Sequence, residues 1–95
     1  MQIIEGAGEW AAPAEGVAND WVEQFAVPAL SVGTYCIPAG GVDSQNPHTE
    51  DEIYVVTGGR ARLVTPTAAA EVGPGSVLFV PAGEEHRFVD VLEDL

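Results

Sequence analysis

The chain has 95 residues, enough for one small domain around a single core and too few for two. Its 15 acidic residues stand against 3 arginines and no lysine, a formal net charge of −12. Such a field repels nucleic-acid phosphates and anionic lipid headgroups and argues against both as partners. An apolar fraction of 46% is that of a folded globule, and no run approaches the roughly 18 apolar residues a membrane helix needs.

In chain order, residues 1–20 are rich in Ala, Gly and Pro without a period, and predict an arm or irregular lead-in. The opening "MQIIEGAGEW" has neither the basic region nor the apolar run of a signal peptide. Cys36 is the single cysteine, so no internal disulfide can form. Together these features predict a cytoplasmic protein. From residue 21 onward the chain reads as one domain of short β-type runs: 21–27, 30–37, 52–57, 61–65, 70–73, 76–81 and 86–91. Pro28, "PAGG", "GG", "PTAA", "GPG" and "PAGEE" separate them, each with a turn-forming composition. The spacing does not favour parallel strands joined by crossover helices. Seven short strands at this spacing predict an all-β sandwich or barrel over residues 21–95.

The stretch "QNPHTEDEIYVVTGG", from Gln45 to Gly59, places one of only two histidines just before three consecutive carboxylates. On a straight strand His48 and Glu52 would lie about 13 Å apart, too far to share an ion. The polar "TED" between them favours a turn, which would let His48 end one strand and Glu52 begin the next, face to face. A helix would also bring them together, but the β-branched "IYVVT" after Glu52 argues for a strand. Taken alone, the acidic run reads first as a solvated turn.

The second histidine lies in "GPGSVLFVPAGEEHRFVD", with the spacing Gly75-x5-Pro81-x-Gly83-x2-His86-x3-Asp90. The first stretch reads Gly40-x5-Asn46-x-His48-x3-Glu52-x5-Gly58. In order, the two blocks resemble the paired motifs of the cupin superfamily, G-x5-H-x-H-x3–4-E-x6-G and G-x5-P-x-G-x2-H-x3-N. The resemblance spans about residues 30–91. It implies a double-stranded β-helix, or jelly-roll, barrel of antiparallel strands. It also implies one divalent transition-metal ion (Fe, Mn, Ni, Zn or Cu) in the barrel mouth, held by His48, Glu52 and His86. The family's remaining histidine is Asn46 here, which leaves open positions for water, substrate, or an amide oxygen from Gln45 or Asn46. Two His and one carboxylate with open positions is the ligand type of non-haem Fe(II) oxygenases. The implied functions are a metal-dependent, dioxygenase-like enzyme on a small organic substrate or, alternatively, a small-ligand-binding or sensory module. The resemblance further implies a homodimer.

Strand parity adds neighbours to this site. Tyr54 and Val56 share parity with Glu52, and Phe88 and Asp90 with His86, so all four are expected to point inward. Tyr54, Arg62 and Phe88 are the expected pocket residues: Tyr54 as a donor to substrate or a barrel filler, Arg62 as a partner for an anionic substrate or for surface carboxylates. Asp90 would orient His86 or cap a strand. Cys36 reads as a small apolar filler. Trp10 and Trp21 would pack the lead-in over a barrel edge or against a second subunit.

Overall fold

The structure, a computed structural model, describes every residue from Met1 to Leu95. Seven strands form it: β1 Asp20–Val27, β2 Leu30–Cys36, β3 Glu52–Val55, β4 Arg60–Val64, β5 Ala69–Val72, β6 Val77–Val80 and β7 Arg87–Glu93. All pairings are antiparallel and there is no helix. The fold is therefore all-β, with strands matching the seven expected runs.

The sheets are β1–β2, β3–β6 and β5–β4–β7. Beyond β2, Ile37 and Leu95 exchange both backbone hydrogen bonds at 2.8 Å, joining the end of the hairpin to the edge of β7. The chain crosses from β3 to β4, and later from β5 back to β6, so the paired strands wind around one interior as a jelly roll. The first crossing needs Gly59. Its φ is +85°, and a Cβ there would fall 2.3 Å from the Asp94 carbonyl oxygen.

The core comprises Ile37, Val56, Ala61, Leu63, Val72, Val80, Phe88 and Val91. Period-2 alternation delivers these side chains to the interior: in β4, Ala61 and Leu63 are buried while Arg60 and Arg62 are exposed. On β3 and β6 the inward set is Glu52, Tyr54, Leu78 and Val80. The outward set is also apolar. Ile53 faces Phe79 and Val55 faces Val77 across the pair, and all four are 61–68% exposed.

Arg62 is not a pocket residue: it lies on the outer face, 3.8 Å from the Asp90 carboxylate, in the surface pairing that was its other reading. One expectation about parity fails here. Asp90 breaks the alternation of β7. The β4–β7 register slips between Arg60 and Arg62, and Asp90 takes a φ of +49° at this bulge. Its side chain turns out to Arg62, while Phe88 and Val91 face the core.

The lead-in carries no strand before Asp20 and is strapped down at Gly8. The Gly8 N–H donates to Thr34 Oγ1 at 2.9 Å, and its carbonyl accepts from Thr57 Oγ1 at 2.7 Å. Trp10 lines a shallow hollow between the lead-in and the β1–β2 hairpin. Trp21 packs instead on its own hairpin, edge-on to Tyr35 and so close over Gly33 that a Cβ there would lie 2.1 Å from the indole.

Candidate metal centre

Residues 41–51 form an irregular segment with a bend at Thr49 and Glu50. The expected turn between His48 and Glu52 is present, but His48 ends no strand. The segment is fixed to the loop that carries the second histidine. The Gly83 N–H donates to the His48 carbonyl at 2.7 Å, and the Ala82 N–H donates to Asp51 Oδ1 at 2.8 Å. Gly83, with φ +79°, makes the turn that presents its N–H there. Glu52 begins β3 and His86 immediately precedes β7.

His48, Glu52 and His86 each offer one ligand atom, and these atoms lie within 4.8 Å of one another. Glu52 Oε1 is 3.3 Å from Nε2 of His48 and 3.3 Å from Nε2 of His86. Yet this oxygen is buried and has no hydrogen-bond partner, because neither contact is aligned as one. Buried polar atoms are ordinarily satisfied. His86 shows why this one is not. Its Nδ1 sits 2.8 Å from the Glu84 carbonyl, which can only accept, so Nδ1 carries the proton and Nε2 presents a lone pair. With the ring neutral, a lone pair on Nε2 meets the lone pairs of Glu52 Oε1 with no proton between them.

A divalent cation resolves that arrangement. Ligand atoms about 2.1 Å from a metal lie about 3.0–3.4 Å apart for octahedral to tetrahedral angles, which matches the two 3.3 Å contacts to Glu52. The three ligand atoms together lie within 4.8 Å, and exposed His48 would move inward to close the set. The Glu84 carbonyl also acts as the outer partner that fixes the tautomer and ring orientation of a metal-binding imidazole. The residues present thus fit the ion the sequence implies, and two imidazoles with one carboxylate suit a first-row transition metal.

Tyr54 and Gln45 complete the cluster. The Tyr54 hydroxyl donates to Gln45 Oε1 at 2.9 Å and also lies 2.9 Å from His86 Nε2. Burial first, and then the Glu52 carboxylate, push the Tyr54 hydroxyl far above its ordinary 10.0, so it remains a neutral donor. Gln45 Oε1 also lies 3.1 Å from His48 Nε2. Of the two amides considered from the sequence, Gln45 enters the cluster. Asn46 is exposed and makes no side-chain hydrogen bond to it.

The three expected pocket residues separate. Tyr54 stands at the site. Phe88 is a core residue that backs it, with the rings edge-on and centroids 5.2 Å apart. Arg62 is on the outer face of β4, paired with Asp90. Asp90 does not orient His86, since the Glu84 carbonyl holds that position. Cys36 is a free, buried thiol away from the cluster, as a filler should be.

Asp43 is the residue the sequence did not reveal. It is 3% exposed, and its carboxylate is surrounded by donors: Tyr35 OH, the Gln45 N–H, Gln45 Nε2 and the Phe88 N–H. Burial, the hydrogen bond to Asp43 and the charge of Asp43 together push the Tyr35 hydroxyl well above its ordinary range. Nothing in "GGVDSQ" marks this carboxylate as buried. The segment has no period, and its partners are scattered along the chain.

Comparison with known proteins agrees with this geometry. The family described as "Cupin domain" matches residues 33–91. The chain is 43% identical over 84 residues to a protein of Streptomyces coelicolor described as uncharacterized, covering 86% of this chain and 80% of that one. No solved structure matches the chain.

Proposed function

The chain belongs to the cupin family, and from that membership we propose that His48, Glu52 and His86 hold one divalent transition-metal ion for dioxygenase-type chemistry on a small organic substrate. The observation that carries the reading is the buried Glu52 oxygen without a hydrogen-bond partner, set between two imidazole nitrogens. The ion would supply the redox and Lewis-acid chemistry by which both atoms of O2 enter the substrate.

The remaining tasks fall to the protein. His86, with its side chain 1% exposed, anchors the inner wall, while His48, at 42%, leaves the opposite side open for entry. Tyr54 donates its one proton to Gln45 Oε1, so its hydroxyl oxygen, 2.9 Å from His86 Nε2, would accept from a substrate donor. Phe88 behind it keeps water from the inner side.

The test is O2 uptake by Fe(II)- and Mn(II)-loaded protein across a panel of small organic acids, phenols and thiols, beside a His48→Ala/His86→Ala variant. Uptake with product formation, absent from the variant, supports the reading. Ligand-induced shifts in melting temperature without any turnover would favour the second reading, a barrel that binds a small molecule without converting it. The departure from the family's full histidine set, with an exposed Asn46 at that position, is what keeps this alternative in view.

We also propose that the protein is a homodimer joined through the outer face of β3 and β6. Ile53, Val55, Val77 and Phe79 form an exposed, uncharged face on a chain of net charge −12. A second copy meeting this face with its own keeps the two acidic surfaces apart. Salt, by screening the remaining repulsion, should strengthen the association. Sedimentation at low and high salt should show a dimer that Phe79→Glu converts to monomer; a monomer at every salt concentration would exclude it. A reducing cytoplasm is our proposed location, in keeping with the free thiol of Cys36.

A further inference from the structure

We infer that the side-chain carbonyl of Gln45 is a fourth protein ligand to the ion, and that buried Asp43 is the positioning residue that turns that oxygen toward it. The inference rests on the metal-centre reading above and specifies its coordination.

An amide has a donating end and an accepting end, and the surroundings of Gln45 allow one orientation. Gln45 Nε2 is 2.7 Å from Asp43 Oδ2. Both Asp43 oxygens are already committed to donors: Oδ1 to the Tyr35 hydroxyl at 2.7 Å and the Gln45 N–H at 3.1 Å, and Oδ2 to the Phe88 N–H at 2.8 Å. Reversing the amide would set two acceptors 2.7 Å apart in a buried place, so the NH2 must face Asp43. The carbonyl is then forced to the other side, 3.1 Å from His48 Nε2.

That oxygen has two lone pairs. The Tyr54 hydroxyl takes one at 2.9 Å, and the other faces His48 Nε2 at 3.1 Å, free for an ion once that nitrogen gives up its own proton to become a ligand. The unpartnered Glu52 Oε1 independently marks the same space as the place where a cation is missing from the hydrogen-bond account. The resulting set is two imidazole nitrogens, one carboxylate oxygen and one amide oxygen. Added oxygen donors favour harder ions, so Mn(II) and Fe(II) suit this set better than an all-imidazole one. Tyr35, through Asp43, belongs to the same support.

The test is Mn(II) binding measured by calorimetry, with the number of ion-bound waters counted by EPR in 17O-labelled water. Gln45→Met keeps the side-chain length and removes the amide. It should weaken Mn(II) binding by at least about 10-fold, since loss of a group outside the ligands already costs about 10- to 100-fold, and add one water to the ion. Asp43→Asn places a donor against the Gln45 NH2. It should add the same water although Gln45 and both histidines remain. Thermal unfolding of each apo variant is compared first; if Asp43→Asn does not fold, Gln45→Met decides the ligand role by itself.

Unchanged affinity and water count in Gln45→Met would overturn Gln45 as a ligand while leaving the three-residue centre intact. An extra water in Gln45→Met but not in a folded Asp43→Asn would remove Asp43 from the account. No Mn(II) bound by the unaltered protein, with no Fe(II) or Zn(II) bound either, would overturn the metal-centre reading and this inference with it.

Discussion

The two histidines of the site stand in opposite kinds of surroundings. His86 is buried immediately before β7, its tautomer fixed by the Glu84 carbonyl and its Nε2 2.9 Å from the Tyr54 hydroxyl. His48 is largely exposed on an irregular segment, and its nearest side-chain contacts are Gln45 and Glu52. One wall of the site is therefore built into the barrel and holds its geometry without help, while the other is an adjustable rim. A centre of this kind is organised from the inside and entered from the rim.

Substitutions can break this contrast, and His86→Ala should have the largest effect. It removes a ligand, takes the ring N–H away from the Glu84 carbonyl and empties a side-chain position that is 1% exposed. Metal affinity should fall by more than about 100-fold, since loss of outer groups alone costs about 10- to 100-fold. Stability should fall by about 1–3 kcal/mol, read from calorimetric metal titration and urea unfolding. His48→Ala should come second: a comparable loss of metal, but a stability change within about 0.5 kcal/mol because the side chain is exposed. A large unfolding cost for His48→Ala would contradict the division into fixed wall and adjustable rim.

Tyr54→Phe should retain the metal and lose about 1 kcal/mol for one hydrogen bond. Its clearer signature is in alkali. Burial, followed by the Glu52 charge, raises the Tyr54 hydroxyl far above its ordinary 10.0 in the folded chain. Above pH 10.0 the unfolded chain therefore binds fewer protons than the folded one. Stability from this group is then intact below that pH and falls as pH rises past it. Urea unfolding from pH 8 to 11 should give a shallower alkaline decline for Tyr54→Phe than for the unaltered protein. Arg62→Ala should do least, within about 0.5 kcal/mol and without change in metal affinity, because its one ion pair, with Asp90 at 3.8 Å, is on the surface.

How far the sequence reached follows the same division. His86 and Glu52 were legible through the resemblance, because Pro81, Gly83 and His86, and His48 and Glu52, stand at the spacings of the family's two motifs. The strands were legible because β-branched runs alternate in burial between glycine- and proline-bearing turns. Tyr54 followed from its parity with Glu52 on β3. Beyond the regular elements the reading weakened. Asp90 was assigned inward by parity, which a bulge with positive φ overrides. Phe88 was correctly turned inward, but parity cannot tell a pocket wall from the core behind it. Gln45 and Asn46 were indistinguishable as donors, since a segment without a period does not declare which side chain turns in. Asp43 was missed because its burial depends on partners from β2, from its own segment and from β7.

The central claim, that His48, Glu52 and His86 hold a metal ion, is tested most directly by elemental mass spectrometry. The protein would be purified without chelator or affinity tag, beside a folded His48→Ala/His86→Ala variant. The account requires close to one transition-metal ion per chain in the protein and none in the variant. No metal in either, even after reconstitution with Fe, Mn, Ni and Zn, would contradict it.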